Sequence, residues 1–215
     1  MIASDVLDRA SELLFDTART RWTISELYKW LTDGLRTVVQ LRPDAGAKRA
    51  ALQLVGGTRQ TLPADAVRLL RITRNLSHPA GVPGRSVIET THEALNAEVA
   101  LWHSKGSKLL VEKFAYDQRE PKQFDVYPAM TGADGTPVLA ALEVIYAANP
   151  PVVTALSQTL TLSDEYLSPL VDWVLWRALS KDSEAANLER AVAHRDTFAM
   201  ALQISQSKAA EAGAA

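Results

Sequence analysis

The chain of 215 residues contains no cysteine. Disulfides, thiolate zinc sites and cysteine nucleophiles are excluded together. The absence fits a reducing compartment without specifying one. Charge of either sign is not in excess: 23 Lys and Arg stand against 25 Asp and Glu, a formal net charge of −2. Composition therefore gives no lead toward nucleic acid or an anionic membrane. No apolar run approaches the ~18 residues of a membrane span. The opening MIASDVLDRA carries acid early and no long apolar run, so no signal peptide is expected and a soluble protein is.

Chemistry-bearing patterns are equally sparse. The four histidines, His78, His92, His103 and His194, show no metal spacing. His92-Glu93-Ala94-Leu95-Asn96 reads H-E-x-x-N, a zinc-protease helix pattern with Asn in place of its second His ligand. Val55-Gly56-Gly57-Thr58 lacks the spacing and the following helix of a phosphate loop and reads instead as a hairpin turn. No G-x-S-x-G elbow is present. Asp117, Glu120 and Asp125 flank a turn, where carboxylates are solvated rather than catalytic. Arg68, Arg71 and Arg74 fall three apart on an expected strand. Period-two alternation puts Arg68 and Arg74 on one face and turns Arg71 away, so no basic stripe is expected. Catalytic residues, cofactors and metals are accordingly expected to be none.

Apolar content of 47% and charged content of 22% are ordinary for a globular protein, and a chain this long can bury a core unaided. Residues 4–19 read as a helix, with Ser4 as cap and Asp5 in the first turn. A second helix begins at Thr23. Thr23 and Glu26 form a capping box, while Trp22 and Leu27 occupy the positions of a hydrophobic staple. Ile24, Leu27, Tyr28, Leu31, Leu35, Val38 and Val39 make one apolar stripe, with Trp30 at its edge. Gly34 inside this helix marks either a close helix approach or a tolerated exposed glycine. Arg42-Pro43-Asp44-Ala45-Gly46 ends the helix.

From about residue 47 the texture changes to short alternating segments. Strands are expected over 50–55, 58–63, 67–75, 85–89, 109–116, 123–128 and 139–147, with one short helix near 91–102. Helices return near residue 163. Pro169 predicts a kink or a start delayed to Ser168. Residues 170–179 are apolar nearly all round, interrupted only by Asp172 and Arg177, which fits a central bundle member or a subunit interface. A last helix is expected from Asp182 or Ser183, with Leu188, Ala191, Val192, Phe198, Ala199 and Leu202 on one face. The Ala- and Ser-rich tail from Ser205 has no core to join. The layout implies an α+β fold: a four-helix bundle from the N- and C-terminal helix pairs (1–46 and 160–215) around an inserted, mainly antiparallel β domain (47–159).

Four stretches, RWTISELYKWLTDGLRTVVQLRPDA (21–45), LVGGTRQTLPADAVRLLRITRN (54–75), YDQREPKQFDVYP (116–128) and LSDEYLSPLVDWVLWRALSKDSE (162–184), resemble in order a family of tailed-bacteriophage head-to-tail adaptor, or connector, proteins. The resemblance implies a structural, non-enzymatic virion protein at the portal vertex, assembled in the host cytoplasm. It implies a homo-oligomeric ring of about twelve copies, bound to the portal protein and to the tail or tail tube, with double-stranded DNA passing non-specifically and no membrane partner. A tail-completion or tail-tube terminator ring protein is the alternative, and a DNA-binding accessory protein is more distant. Trp173 and Trp176 are candidates for the subunit interface. Leu202, Ile204 and Lys208 are candidates for docking on the portal.

Overall fold

The computed structural model describes residues 1–77, 81–104, 107–181 and 187–213, the side chains of Ser107 and of 204–213 excepted. In chain order it begins with helices α1 (Ala3–Leu13) and α2 (Ile24–Leu41). Strands β1 (Ala47–Val55), β2 (Gly57–Thr61), β3 (Ala66–Leu76), β4 (Pro83–Ser86) and β5 (Ile88–Thr90) follow. Then come α3 (His92–Glu98), β6 (Ser107–Lys108), β7 (Lys113–Ala115), β8 (Gln123–Met130) and β9 (Pro137–Ala148). The chain closes with α4 (Leu167–Ser180) and α5 (Leu188–Gly213). The fold is α+β with two mainly antiparallel sheets. Contacts divide the chain into two compact units, Met1–Gly46 with Asn149–Ala215, and Ala47–Ala148.

In the helical unit α1 stops at Leu13 rather than continuing to residue 19. Ser4 is not its cap; the helix starts at Ala3, and the Asp5 carboxylate accepts the N–H of Ile2 at 2.7 Å. Phe15 and Arg19 each adopt a left-handed backbone with φ 54°, which no continuing α-helix allows. Between them the chain turns around Asp16, whose carboxylate accepts the N–H groups of Thr20, Arg21 and Trp22, each at 3.0 Å. That turn delivers the chain to α2. The capping box is present: Thr23 Oγ1 accepts the N–H of Glu26 at 3.4 Å, and Glu26 Oε2 accepts the N–H of Thr23 at 3.2 Å. Trp22 and Leu27 are both buried.

Helix α4 sits at the centre of its unit, touching α1, α2 and α5, which is why it is apolar on nearly every side. The α-helix starts late, within one residue of the delayed start expected at Ser168. A 3-10 turn, Asp164–Tyr166, leads into a helix that begins at Leu167. Pro169 is then the third helical residue, where no intrahelical N–H bond is lost. Described α5 begins at Leu188, with Asn187 Oδ1 accepting the N–H of Arg190 at 3.0 Å; the expected starts, Asp182 and Ser183, lie outside the described residues. Its buried face is narrower than expected: Ala191, Phe198 and Leu202 are buried, whereas Leu188, Val192 and Ala199 are exposed. The segment after β9 groups with the helices, and the N–H of Val153 donates to Thr32 Oγ1 at 3.0 Å.

In the β unit, one sheet has the order β1-β9-β3-β4 and the other β2-β8-β7-β5, with β6 beside β8. Both contribute to one core, in which Leu54, Leu69, Ile72, Leu142 and Val144 of the first meet Phe114, Phe124 and Val126 of the second. Gly56-Gly57 is not a hairpin turn. β1 pairs with β9 and β2 with β8, so the glycines carry the chain from one sheet to the other. The turn after β8 makes the same crossing at the same corner: the N–H of Gly56 donates to the Thr136 carbonyl at 2.7 Å, and the N–H of Gly135 to the Gly56 carbonyl at 3.2 Å. A Cβ on Gly56 would come within 2.2 Å of the Ala133 carbonyl oxygen, and Gly57 has φ 88°; both positions require glycine. Buried Gln60 closes the corner by pairing with both backbone groups of Val55, at 2.8 and 2.9 Å. Buried Asn75 bonds the Arg85 carbonyl and both backbone groups of Val111.

The expected strand over 109–116 is ordered as β7 over only 113–115, antiparallel to β8. The expected helix near 91–102 ends at Glu98. Trp102 falls beyond it yet is buried, its Nε1 donating to Asn96 Oδ1 at 2.8 Å.

Candidate functional site

The α2–α4 seam holds the helical unit's aromatic cluster. Gly34 is buried, and its missing side chain is filled by Trp173: a Cβ there would lie 2.7 Å from the indole Cδ1. Of the two readings of Gly34, the close helix approach is the one present. The Trp173 Nε1 donates to the Trp30 carbonyl at 2.9 Å. The Trp173 ring meets Trp176 edge-on at 4.9 Å between centroids and Phe198 of α5 at 5.0 Å. Such pairs add ~0.5–1.5 kcal/mol each beyond area burial.

Trp173 is therefore buried within its own unit, 8% exposed, while Trp176 is half-buried. Trp176 and Trp30 wall an open groove of about 410 Å³, rimmed by Glu26, Arg177, Ser180 and Lys181. The Lys181 ammonium donates to Glu26 Oε1 across one end at 2.5 Å. This hydrogen bond, the largest influence on Glu26, outweighs burial and holds its carboxyl below the usual carboxylate range. Asp172 of α4 faces His194 of α5 at 2.8 Å. Leu202 is 4% exposed, and its carbonyl accepts from the buried Arg42 guanidinium at 3.4 Å. The side chains of Ile204 and Lys208 lie outside the described residues. The helix itself runs on to Gly213.

The residues considered for chemistry have structural partners. In the H-E-x-x-N stretch, His92 Nε2 lies 3.0 Å from Asp125 Oδ2, and Asn96 holds Trp102. His103 stacks on Trp102 at 3.6 Å between centroids. His78 lies outside the described residues. Asp125 is buried rather than solvated. Half-buried Asp117 pairs with Arg119 and exposed Glu120 with Arg59. His92, Asp117, Glu120, Asp125 and Arg59 line a cleft of about 210 Å³. Among the described residues no three His, Asp or Glu gather to hold a metal ion, and no helix is long and apolar enough to cross a membrane.

Sequence reasoning missed three buried polar groups: Asp16, Gln60 and Asn75. Each satisfies backbone groups that no helix or sheet ladder reaches. Only Asp16 had a local signal, as an Asp preceding a helix start by a few residues.

The fold and these surfaces define an α+β protein with two mainly antiparallel sheets and an aromatic-walled groove on its helical unit. Over residues 1–215 the chain matches the SU10 adaptor protein family, and it belongs to that family. It is thus a phage adaptor, and the family implies a structural component of the virion. No curated protein matches it.

Proposed function

We propose that this chain is the wedge of a head-to-tail adaptor ring of about twelve copies, built through heterologous contacts between neighbours. The ring joins the portal above to the tail or tail tube below and lets double-stranded DNA pass. The two compact units act as its domains: the helices as a bundle forming the ring body, the β unit as an inserted appendage. The observation that carries this reading is the family match over the whole chain. The formal charge of −2 suits a conduit that must not retain DNA tightly.

The groove between Trp30 and Trp176 receives the neighbouring copy, with Trp173 holding both walls through the Trp30 carbonyl and the Trp176 ring. The C-terminal end of α5, with Ile204 and Lys208, docks on the portal, and Leu202, packed in its own unit, anchors the start of that end. Co-sedimentation of the purified protein with portal particles and, separately, with tail tubes tests the placement. Binding to tubes alone would give the tail-completion reading instead. Deleting residues 205–215 is expected to abolish attachment to portal-bearing capsids while leaving the fold intact; unchanged attachment removes the docking role. The Trp176→Glu variant is expected to sediment as smaller species than the wild type, and an unchanged distribution would remove the groove from the ring contact.

A further inference from the structure

Strand β3 does not alternate with period two. Its buried residues are Ala66, Leu69, Ile72 and Asn75, a period of three. The cause lies in its pairing with β9, which shifts register between Ala66 and Arg68, between Leu69 and Arg71, and between Ile72 and Arg74. Each shift inserts one extra residue, a β-bulge, so three residues of β3 cover two of β9. The inward residues pair with Ala148, Tyr146, Val144 and Leu142, and the arginines with Ala147, Ile145 and Glu143. Arg68, Arg71 and Arg74 therefore share the face turned away from the core. This corrects the expectation from period two, which turned Arg71 the other way.

Neighbouring strands extend this face. Arg49 of β1 pairs with Ile145 from the other side, so Arg71 and Arg49 flank it in one row, about 10 Å apart across two strand spacings. Successive arginines on β3 lie two β9 residues apart, about 7 Å. Among the residues in register on this face, Glu143 is the sole acid. It sits between Arg49 at 2.9 Å and Arg74 at 3.4 Å and accepts from Thr73 Oγ1 at 2.7 Å. Arg68 and Arg71 have no ion pair among the described residues, and Arg71 is exposed. The near-neutral total hides this concentration: Ala47–Ala148 carries 12 Lys and Arg against 10 Asp and Glu, and the remainder 11 against 15.

We infer that the Arg49, Arg68, Arg71 and Arg74 face of the β unit docks on the phosphate backbone of double-stranded DNA. A row of guanidiniums at near-phosphate spacing on a rigid sheet matches a linear polyanion. Arginine forks pair phosphate oxygens in two-point contacts that lysine does not make. The face offers no helix or ribbon to enter a groove, so the contact reads charge and not sequence. The inference rests on the DNA-passage element of the proposed function and is separable from the rest: portal attachment tests the ring, DNA binding tests this face.

The test is fluorescence anisotropy of a random-sequence 30-bp duplex with the full-length protein across a salt series. The wild type is expected to bind weakly with a falling log–log slope set by about three to four phosphate contacts. The R68Q/R71Q/R74Q variant is expected to lose nearly all binding and to flatten the slope by about 3. Removing two bases from the β7–β8 turn, R119Q/K122Q, is expected to leave the slope unchanged. If the triple variant does not fold by circular dichroism, R71Q alone must still flatten the slope by about 1. Absence of salt-dependent binding by the wild type overturns the inference, as does a variant slope equal to the wild type. If R71Q instead loses binding to portal particles with its DNA slope unchanged, the face belongs to an acidic protein partner and the inference is likewise overturned.

Discussion

The two units of this protein use opposite devices to turn sequence into surface. In the helical unit each face is set within the segment that carries it. The stripe on α2 follows the 3.6-residue period, and the capping box fixes where that period begins. In the β unit the decisive faces are set by distant partners. β3 acquires its three-residue period from bulges against β9, some seventy positions away in the chain. The corner at Gly56 exists only because the turn after β8 lies against it. Local periodicity is thus a reliable guide to a helix face and a poor one to a bulged strand, because each bulge reverses the parity of everything after it.

The comparison can be broken first where one side chain joins two helices. Trp173→Ala removes the indole over Gly34, its hydrogen bond to the Trp30 carbonyl and the contacts with Trp176 and Phe198. A loss of about 3–5 kcal/mol is expected in urea unfolding. In the β unit the counterpart is a glycine, not an aromatic. Gly56→Ala drives a Cβ into the Ala133 carbonyl and is expected to cost about 3 kcal/mol, with hydrogen exchange accelerated at both strands leaving the corner. A cost below about 1 kcal/mol would show that the corner relaxes freely.

Smaller effects sharpen the local side of the contrast. Thr23→Ala removes one half of the capping box and is expected to cost about 1 kcal/mol, with increased exchange confined to the first turn of α2. Asp16 gives a pH signature. Burial, the largest influence, opposes its charge, but the N–H groups of Trp22, Thr20 and Arg21 together with the Thr20 hydroxyl win, and its carboxyl stays below the usual carboxylate range. Its stabilising contribution is therefore complete above the unfolded-state pKa of about 3.9 and is lost as pH falls through the lower folded value. Asp16→Asn is expected to flatten the stability–pH curve in that acid window and nowhere else. Unchanged curvature below about pH 4 would remove Asp16 from acid unfolding.

Much of the helical unit was legible in advance. The start of α2, its buried stripe and the centrality of α4 follow from caps and apolar spacing. The α1 end was not legible, because Phe15 and Arg19 carry no residue-type signal for a left-handed backbone. The late start of α4 was legible to within one residue from Pro169, but the 3-10 turn that leads into it leaves no mark in the pattern. Most β segments could be found from alternation, and the β7–β8 pairing with them. Which sheet each strand joins could not, since the Gly56-Gly57 pair looks the same whether the chain folds back or crosses over.

Trp173 and Trp176 differ in the same way. Both are tryptophans one helical turn apart on an apolar helix. One fills the space that Gly34 leaves, and the other is left half-buried at a groove. The portal-docking candidates had no local signature beyond their place after a long helix, and Leu202 proves to be packed in its own unit.

The sequence by itself determined the α+β class, the helix start at Thr23, the absence of thiol chemistry and, through its family markers, the adaptor identity. These rest on residue type and short-range spacing, which act within a few turns of chain. Tertiary structure decided what depends on distant partners. Burial of Trp173 on Gly34, the crossing at Gly56 and the alignment of three arginines on β3 all depend on registers between segments far apart in the chain. No short-range rule fixes such a register, because its free energy comes from the partner strand or helix and not from the segment itself.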